Sequence, residues 1–564
     1  MAKTITIRRM GQTMKEGTVV KWYKNDGDTV KKGDHIYEME YDKASTEMDS
    51  PADGILKIVH ENGTFPVGTV VAKVYEQGES IEETPDIKES SKTASPVAAT
   101  TGDQSADAIV IGGGPGGYVA ALKLAMNGKK TILVERDKVG GTCLNRGCIP
   151  TKALLHSAEV LDTVKESAKS GIKVTGYTVD TKAVNDRKDG VVKQLVGGVE
   201  YLLSKRKVEV IRGEASFTGE KSLRIALTDG TSKDISADNI IIAAGSESSK
   251  IPIPGIDGKN VITSTEALDF DNLPKELVII GGGVIGMEIG SVYAKFGTKV
   301  TVLEALPRIL PNLDQEITAE FRKHASAYMQ IETSAKVCSI SDSGAKKQVE
   351  FELDGAKKTI MADKVMVCVG RRPETAALAL DKAGIVLDRN RIKTNDAFET
   401  NVPGVYAIGD VNGKVLLAHA ASAQGIFVAE KICGIKSEIN LDLVPSCIYT
   451  KPEIACVGKT EEQLKEEGKE YQVGKFPFQA NGKSLAMGEP DGFIKILAGK
   501  EYGEILGAHM IGPRATDMIA ELALAINSEC TVDEIANTIH AHPTVSEAVM
   551  EAAEAVKGHA IHNI

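Results

Sequence analysis

Nowhere in its 564 residues does the chain hold an apolar run near the roughly 18 residues that a membrane span needs. Its opening stretch, MAKTITIRRMGQTMKEG, also lacks the apolar segment of a signal peptide. A cytoplasmic protein with no membrane partner is the expectation. The 67 Lys and Arg are outnumbered by 78 Asp and Glu, for a net charge of -11, and form no basic tract. That argues against nucleic acid as the main partner, because such binding rests on clustered cations neutralising phosphates. Cysteines number only eight, too few for a secreted disulfide framework in so long a chain. Six of them, Cys338, Cys368, Cys433, Cys447, Cys456 and Cys530, are scattered and read as small buried hydrophobes.

What is present points to several cores rather than one. With 42% hydrophobic and 26% charged residues, a chain of this length should divide into about three to five domains. At the front, GTVVKWYKNDGDTVKKGDHIYEME (17 to 40) and GILKIVHENGTFPVGTVVAKVYE (54 to 76) repeat one another, Gly17, Gly27 and Gly33 matching Gly54, Gly63 and Gly68. Apolar alternation between turns predicts short strands that pair into a small flattened β-barrel. The seam EMEYDKASTEMDS lifts Lys43 to the tip of a hairpin. This resembles the lipoyl domains, whose swinging arm is attached to the lysine of a DKA turn. The resemblance implies a covalent lipoyl group on Lys43. Tyr41 stands where that family often has Thr or Ser.

Residues 78 to 105, GESIEETPDIKESSKTASPVAATTGDQS, have no aromatic and are rich in Ser, Thr, Ala, Pro and Glu, the composition of a flexible linker. Such a coil spans roughly 30 Å r.m.s..

Beyond it, ADAIVIGGGPGGYVAALKLAMNGKKTILVE (106 to 135) reads as strand, Gly-rich turn, helix and strand, with Gly112, Gly114 and Gly117 as G-x-G-x-x-G and Glu135 ending the second strand. Glycines let the backbone approach a diphosphate at the helix N-terminus, and the acid accepts from a ribose hydroxyl. LVIIGGGVIGMEIGSVYAKFGTKVTVLE (277 to 304) repeats the pattern with Gly281, Gly283, Gly286 and Glu304. Two fingerprints imply two dinucleotides. A carboxylate at 304, followed by ALPRIL without an Arg pair, favours NAD over NADP.

Directly after the first unit comes GGTCLNRGCIPTKALL, with Cys143 and Cys148 five apart at the start of a predicted helix. Zinc would require two more ligands nearby, and a structural disulfide around so small a loop is unusual in a reducing cytosol. A helix N-terminus favours the thiolate, the nucleophile of thiol exchange, so a redox-active pair remains. This motif resembles that of the FAD-containing pyridine nucleotide-disulphide reductases, and its CLN and CIP elements most resemble the dihydrolipoamide dehydrogenase branch. The likeness covers residues 106 to 564, although Arg146 stands where Val is common and Thr151 where Ser is.

The resemblance implies the remaining roles. Cys148 lies against the flavin and Cys143 exchanges with the substrate disulfide. His542 and Glu547 of TIHAHPTVSEAVMEAAEAV are the catalytic base and its orienting carboxylate, serving the partner subunit of a homodimer, while His540 is an additional histidine of that branch. FAD is implied at Gly112, Gly114, Gly117, Glu135, Lys152, Ala215, Ala244, Gly245, Asp410, Leu416, Leu417, Ala418 and His419. NAD is implied at Gly281, Gly283, Gly286, Glu288, Glu304, Val337 and Gly370, with Lys152 and Glu288 an ion pair near the flavin. The expected fold is multidomain: a lipoyl/biotinyl-type barrel, two Rossmann-like α/β nucleotide-binding domains and a C-terminal α+β dimerisation domain.

Expected boundaries are 1–77 for the lipoyl domain, 78–105 for the linker, 106–246 with 373–446 for the FAD domain, 247–372 for the NAD domain and 447–564 for the interface domain. Partners would be lipoyl domains and other subunits of a 2-oxo acid or acetoin dehydrogenase complex. Rival readings are weaker. A glutathione or mercuric reductase would be expected to use NADP, and a mercury enzyme to end in a vicinal Cys pair. An acyltransferase or carrier scaffold would carry a C-terminal H-x-x-x-D-G, which is missing.

Overall fold

The computed structural model describes residues 3–7, 16–41, 44–60, 63–75, 104–271 and 273–563. Two compact units emerge, Met1–Thr100 and Thr101–Ile564.

The first unit is a flattened barrel of two four-stranded sheets. One runs in the order Lys3–Thr6, Val70–Tyr75, Gly54–Ile58, Thr29–Val30; the other runs Ala44–Asp49, His35–Tyr41, Glu16–Trp22, Gly63–Pro66. Each sheet takes strands from both sequence repeats, so neither half closes a core alone. Tyr37 and Met39 alternate inward with Val19, Leu56, Val71 and Val74, and the register shift between His35 and Tyr37 lets the adjacent Ile36 be buried as well. His35–Tyr41 pairs antiparallel with Ala44–Asp49, Tyr41 standing opposite Ala44. Asp42 and Lys43, expected at the tip of a hairpin, lie outside the described residues, as does the linker up to residue 103.

In the second unit a strand opens at Gln104, two residues inside the expected linker, and runs to Ile111. It is central to a six-stranded sheet in the order Ser222–Leu227, Glu209–Gly219, Thr131–Glu135, Gln104–Ile111, Ser232–Ile242, Val405–Ala407. Apart from Ser222–Leu227, which runs antiparallel to both Glu209–Gly219 and Ser232–Ile242, the sheet is parallel. Its central strands are apolar on both faces because helices Pro115–Met126, Thr181–Lys205 and Ala418–Ile432 cover one face and Phe217, Leu223 and Ile225 of the antiparallel strands pack on the other. A second, five-stranded parallel sheet runs Val261–Ile262, Lys364–Val367, Glu276–Ile280, Lys299–Leu303, Gln330–Glu332. The chain leaves the first sheet and returns to it along a two-stranded ribbon, Ser246–Ser248 against Arg371–Pro373.

The C-terminal part is a five-stranded antiparallel sheet carrying helices Ala515–Asn527 and Glu547–Val556 on its core face. It is tied to the second nucleotide-type sheet by a buried ion cluster. Lys495, 1% exposed, places Nζ 3.0 Å from Asp314 and 2.5 Å from Glu461. No helix among the described residues is long and apolar enough to cross a membrane.

Candidate active site

The two Gly-rich turns are built alike. Gly112 leaves its strand at φ +100° and Gly281 at φ +109°, and a Cβ on either would lie 2.4 Å from a backbone oxygen, that of Ala243 or of Cys368. Only glycine fits there. Each turn rests on a carboxylate 22 residues further on. Gly113 N–H donates to Glu135 Oε2 and Gly282 N–H to Glu304 Oε2, both at 2.6 Å. Asp137 N–H and Leu306 N–H donate to the other oxygen of each, at 2.8 Å. The third glycines differ from expectation. A Cβ on Gly117 would come within 1.8 Å of Gly112 O and one on Gly286 within 2.3 Å of Gly281 O, so both pack helix onto turn rather than face a ligand.

A cavity of about 1100 Å³ runs in front of the first turn. From the expected set it is lined by Gly112, Gly114 and Glu135, by Cys143, Cys148 and Lys152, by Ala215, Ala244, Gly245 and Asp410, and by Leu416 through His419. Gly283, Glu288 and Gly370 line it too. Gly281 and Glu304 belong to the second turn without lining this cavity, and Val337 is buried in the core of the second sheet. The volume suits a dinucleotide, and a Cβ at Gly114 would meet only Gly141 Cα at 3.9 Å, leaving the helix N-terminus open to an anion.

Cys143 lies in the short helix Gly141–Arg146 and Cys148 begins the helix Cys148–Glu166. The Cys143 thiol donates to Cys148, which, with burial, pushes Cys143 well above the ordinary thiol range. Cys148 is pulled down to about 7, first by that hydrogen bond and then, against burial, by the charge of Lys152 and its own backbone amide. Lys152, one turn along the same helix, reaches Glu288 of the second nucleotide-type unit with Nζ 3.0 and 2.8 Å from the two carboxylate oxygens. This is the ion pair that the resemblance implies; the Glu288 carboxylate, placed also in the expected NAD set, is buried against this lysine and the Tyr449 N–H, 2.9 Å away. The Tyr449 ring lies under Lys152 Nζ at 4.4 Å.

At the other end, Ser246 donates to Asp410 at 2.5 Å, while Arg371 donates to Ser246 Oγ at 2.8 Å and to its carbonyl at 2.5 Å. Sequence reasoning passed over Ser246, Arg371 and Tyr449. The G-R-R-P stretch was the available signal for Arg371; nothing local marks the other two.

His542 and Glu547 form a dyad, the His542 Nδ1–H donating to Glu547 Oε1 at 2.9 Å. Burial opposes ionisation of Glu547, but Thr544 N–H and His542 hold its carboxyl below the usual range. The tautomer so fixed leaves Nε2 as acceptor, the arrangement of a general base. The His542 side chain is 79% exposed and does not line the cavity that holds the cysteines of its own chain. His540 points elsewhere, between Glu521 Oε1 at 2.8 Å and Thr538 O at 2.9 Å.

Two nucleotide-type turns, a polarised dithiol between them and a histidine–carboxylate dyad define a nucleotide-dependent disulphide oxidoreductase. Residues 106–425 match the pyridine nucleotide-disulphide oxidoreductase family and residues 444–553 its dimerisation domain, while residues 3–74 match the family described as biotin-requiring enzymes. Mitochondrial dihydrolipoyl dehydrogenase 1 of Arabidopsis thaliana is 44% identical over 470 residues, 82% of this chain and 93% of the relative. The dihydrolipoyl dehydrogenase of Bacillus subtilis is 42% identical over 468 residues, 81% of this chain and 99% of the relative. Among solved structures, the HOCl-induced flavoprotein disulfide reductase of Escherichia coli, in its Cu(II) complex, superposes with a TM-score of 0.72 at 29% identity, covering 80% of this chain and 99% of that one. The chain belongs to the pyridine nucleotide-disulphide oxidoreductases and, within them, to the dihydrolipoyl dehydrogenase family.

Proposed function

We propose that this chain oxidises protein-bound dihydrolipoamide and reduces NAD+, as a homodimer within a 2-oxo acid or acetoin dehydrogenase complex, and carries a lipoyl group of its own on Lys43. The observation that carries the reading is the polarised pair, a Cys143 thiol donating to a Cys148 held toward thiolate beside Lys152.

The first turn, Glu135, Lys152, Asp410 and the backbone at Ala215, Ala244, Gly245 and Leu416 to His419 would hold FAD. The second turn, Glu304 and Gly370 would hold NAD. When bound, FAD supplies the two-electron relay between the dithiol and the nicotinamide. In the dithiol half-reaction, one substrate thiol gives its proton to Nε2 of the partner subunit's His542. The resulting thiolate bonds to Cys143 Sγ of the oxidised pair, and the Cys143–Cys148 bond breaks with Cys148 leaving as thiolate. The second substrate thiol then attacks the sulfur bonded to Cys143. The mixed disulfide's bond to Cys143 Sγ breaks, oxidised lipoamide departs, and Cys143 takes up the proton released by the second substrate thiol. The product of these steps, thiol on Cys143 and thiolate on Cys148, is the state described above. Exposure of His542 away from its own cysteines supports its service to the partner subunit.

The purified protein should be yellow and should reduce NAD+ with dihydrolipoamide. Cys148→Ser should keep bound FAD and lose turnover; full turnover in that variant overturns the reading. Intact-mass measurement after expression with a lipoylation system should show the adduct on Lys43, absent in Lys43→Arg.

A further inference from the structure

Arg146 is one of two positions in the cysteine motif at which this chain departs from the residue common in its family, there Val, and its surroundings give the change a use. The helix that it ends, Gly141–Arg146, is docked flush on the first Gly-rich turn. Gly140 N–H donates to Gly113 O at 2.7 Å, and a Cβ on Gly141 would lie 2.6 Å from Gly114 Cα. Arg146 lines the large cavity. Its guanidinium is steadied from one side only, by Asp137 Oδ2 at 3.0 Å from Nη1.

The other cations on the cavity wall are already occupied. Arg136 is paired with Glu374 and Glu214, and Lys152 with Glu288. Arg371 spends its Nε and Nη2 on Ser246, with Asp410 4.0 Å away. Burial pushes the Arg371 guanidinium down, Asp410 pushes it up, and the like charge of Arg146 pushes it down again. Two guanidiniums thus face one cavity beside a helix N-terminus, an arrangement that an anion relieves. Arg146 stands beside Asp137, next to the Glu135 that would accept from the adenosine ribose, and near the Ser246–Arg371–Asp410 corner, where Asp410 would by the family resemblance hold the ribityl chain. A diphosphate joins those two parts of a flavin dinucleotide.

We infer that Arg146 is a charged ligand to the FAD diphosphate, added by this chain to the backbone cradle of the first turn and pre-oriented by Asp137. The inference rests on the FAD reading given above. Val at this position would leave the diphosphate to the backbone of the first turn; Arg adds a side-chain donor pair whose contribution is screened by salt.

The test is FAD binding to deflavinated full-length protein, followed by flavin fluorescence across a series of ionic strengths. Arg146→Val, the residue of the family, should weaken FAD binding about tenfold or more at low salt, the scale of one charge-assisted contact. It should also flatten the salt dependence. Arg146→Lys should recover part of both, and Asp137→Asn should weaken binding less than Arg146→Val. The Michaelis constant for NAD+ in FAD-saturated protein should stay as in the parent. FAD affinity of Arg146→Val within twofold of the parent, with an unchanged salt slope, overturns the inference and leaves the FAD reading standing. Failure of the parent itself to bind FAD overturns both.

Discussion

Lys152 and Glu288 are 136 positions apart in the chain, yet the ammonium of one lies 3.0 and 2.8 Å from the two oxygens of the other, directly behind Cys148. The pair sets two opposed charges on one thiol. Lys152→Met should raise the Cys148 pKa toward the ordinary thiol value and slow its alkylation at neutral pH by roughly tenfold, since the thiolate is the nucleophile. Glu288→Gln should act in the opposite direction. Thiolate absorbance of the reduced protein against pH checks both signs.

In the parent, Cys148 ionises at about 7. Because its pKa is lowered, the thiolate is present above that pH and is lost as pH falls through it. The reduced protein's thiolate absorbance and its rate of reaction with an alkylating probe should therefore fall together on going from pH 8 to pH 6. A profile that stays flat down to pH 5 would place the charge on another group.

Glu135 and Glu304 each anchor one turn through a backbone N–H at 2.6 Å, so they separate the two nucleotides. Glu304→Ala removes the acceptor of Gly282 and Leu306 N–H, a loss of about 1–3 kcal/mol per buried donor, and should weaken NAD+ binding on the order of 10- to 100-fold with FAD retained. Glu135→Ala should release FAD. Equilibrium dialysis with each nucleotide distinguishes the outcomes.

Much of this site is legible in sequence, and the reason is local. The two Gly-rich turns, their terminal acids and the Cys143/Cys148 motif each act within about 30 residues, so spacing carries the geometry. Contacts made across the fold leave no such trace. The Lys152–Glu288 pair is expected only through the family resemblance, since spacing alone cannot join residues 136 positions apart, and nothing local announces that Tyr449 N–H also donates to Glu288 or that Ser246 bridges Arg371 and Asp410. Burial of Lys495 beside Asp314 is equally silent, because a lone Lys in FIKILAG reads as solvated until the helix beginning after Asp314 is laid over it.

That buried cluster predicts the response to acid. Burial works against ionisation of Glu461, but Lys465 and Lys495 hold its carboxyl down at about 2. A lowered pKa contributes stability above the usual carboxylate value and loses it as pH falls from about 4.5 toward 2. Lys495→Ala leaves Asp314 buried without its cation and should cost about 3–5 kcal/mol. Urea unfolding at pH 7 measures the cost, and acid titration should show the variant with a smaller dependence on pH in that window.

If His542 serves the opposite subunit, inactive chains should complement one another. A hybrid dimer of Cys148→Ser and His542→Gln contains one site with both an intact pair and an intact histidine, and should regain about half of the parent rate. Were His542 to act within its own chain, the hybrid would stay inactive. Mixing differently tagged variants, purifying the hybrid and assaying lipoamide reduction settles the arrangement.

The carboxylate beneath each nucleotide turn has a consequence for changing coenzyme use. Under the proposed function Glu304 would discriminate against a ribose phosphate, and it is also the acceptor that holds the Gly-rich turn through Gly282 and Leu306 N–H. Neutralising it to admit NADP would therefore collapse the seat along with the barrier. A redesign toward NADP has to supply substitute acceptors for Gly282 and Leu306 N–H first, for instance a serine or asparagine placed below the turn, and only afterwards install an arginine for the added phosphate.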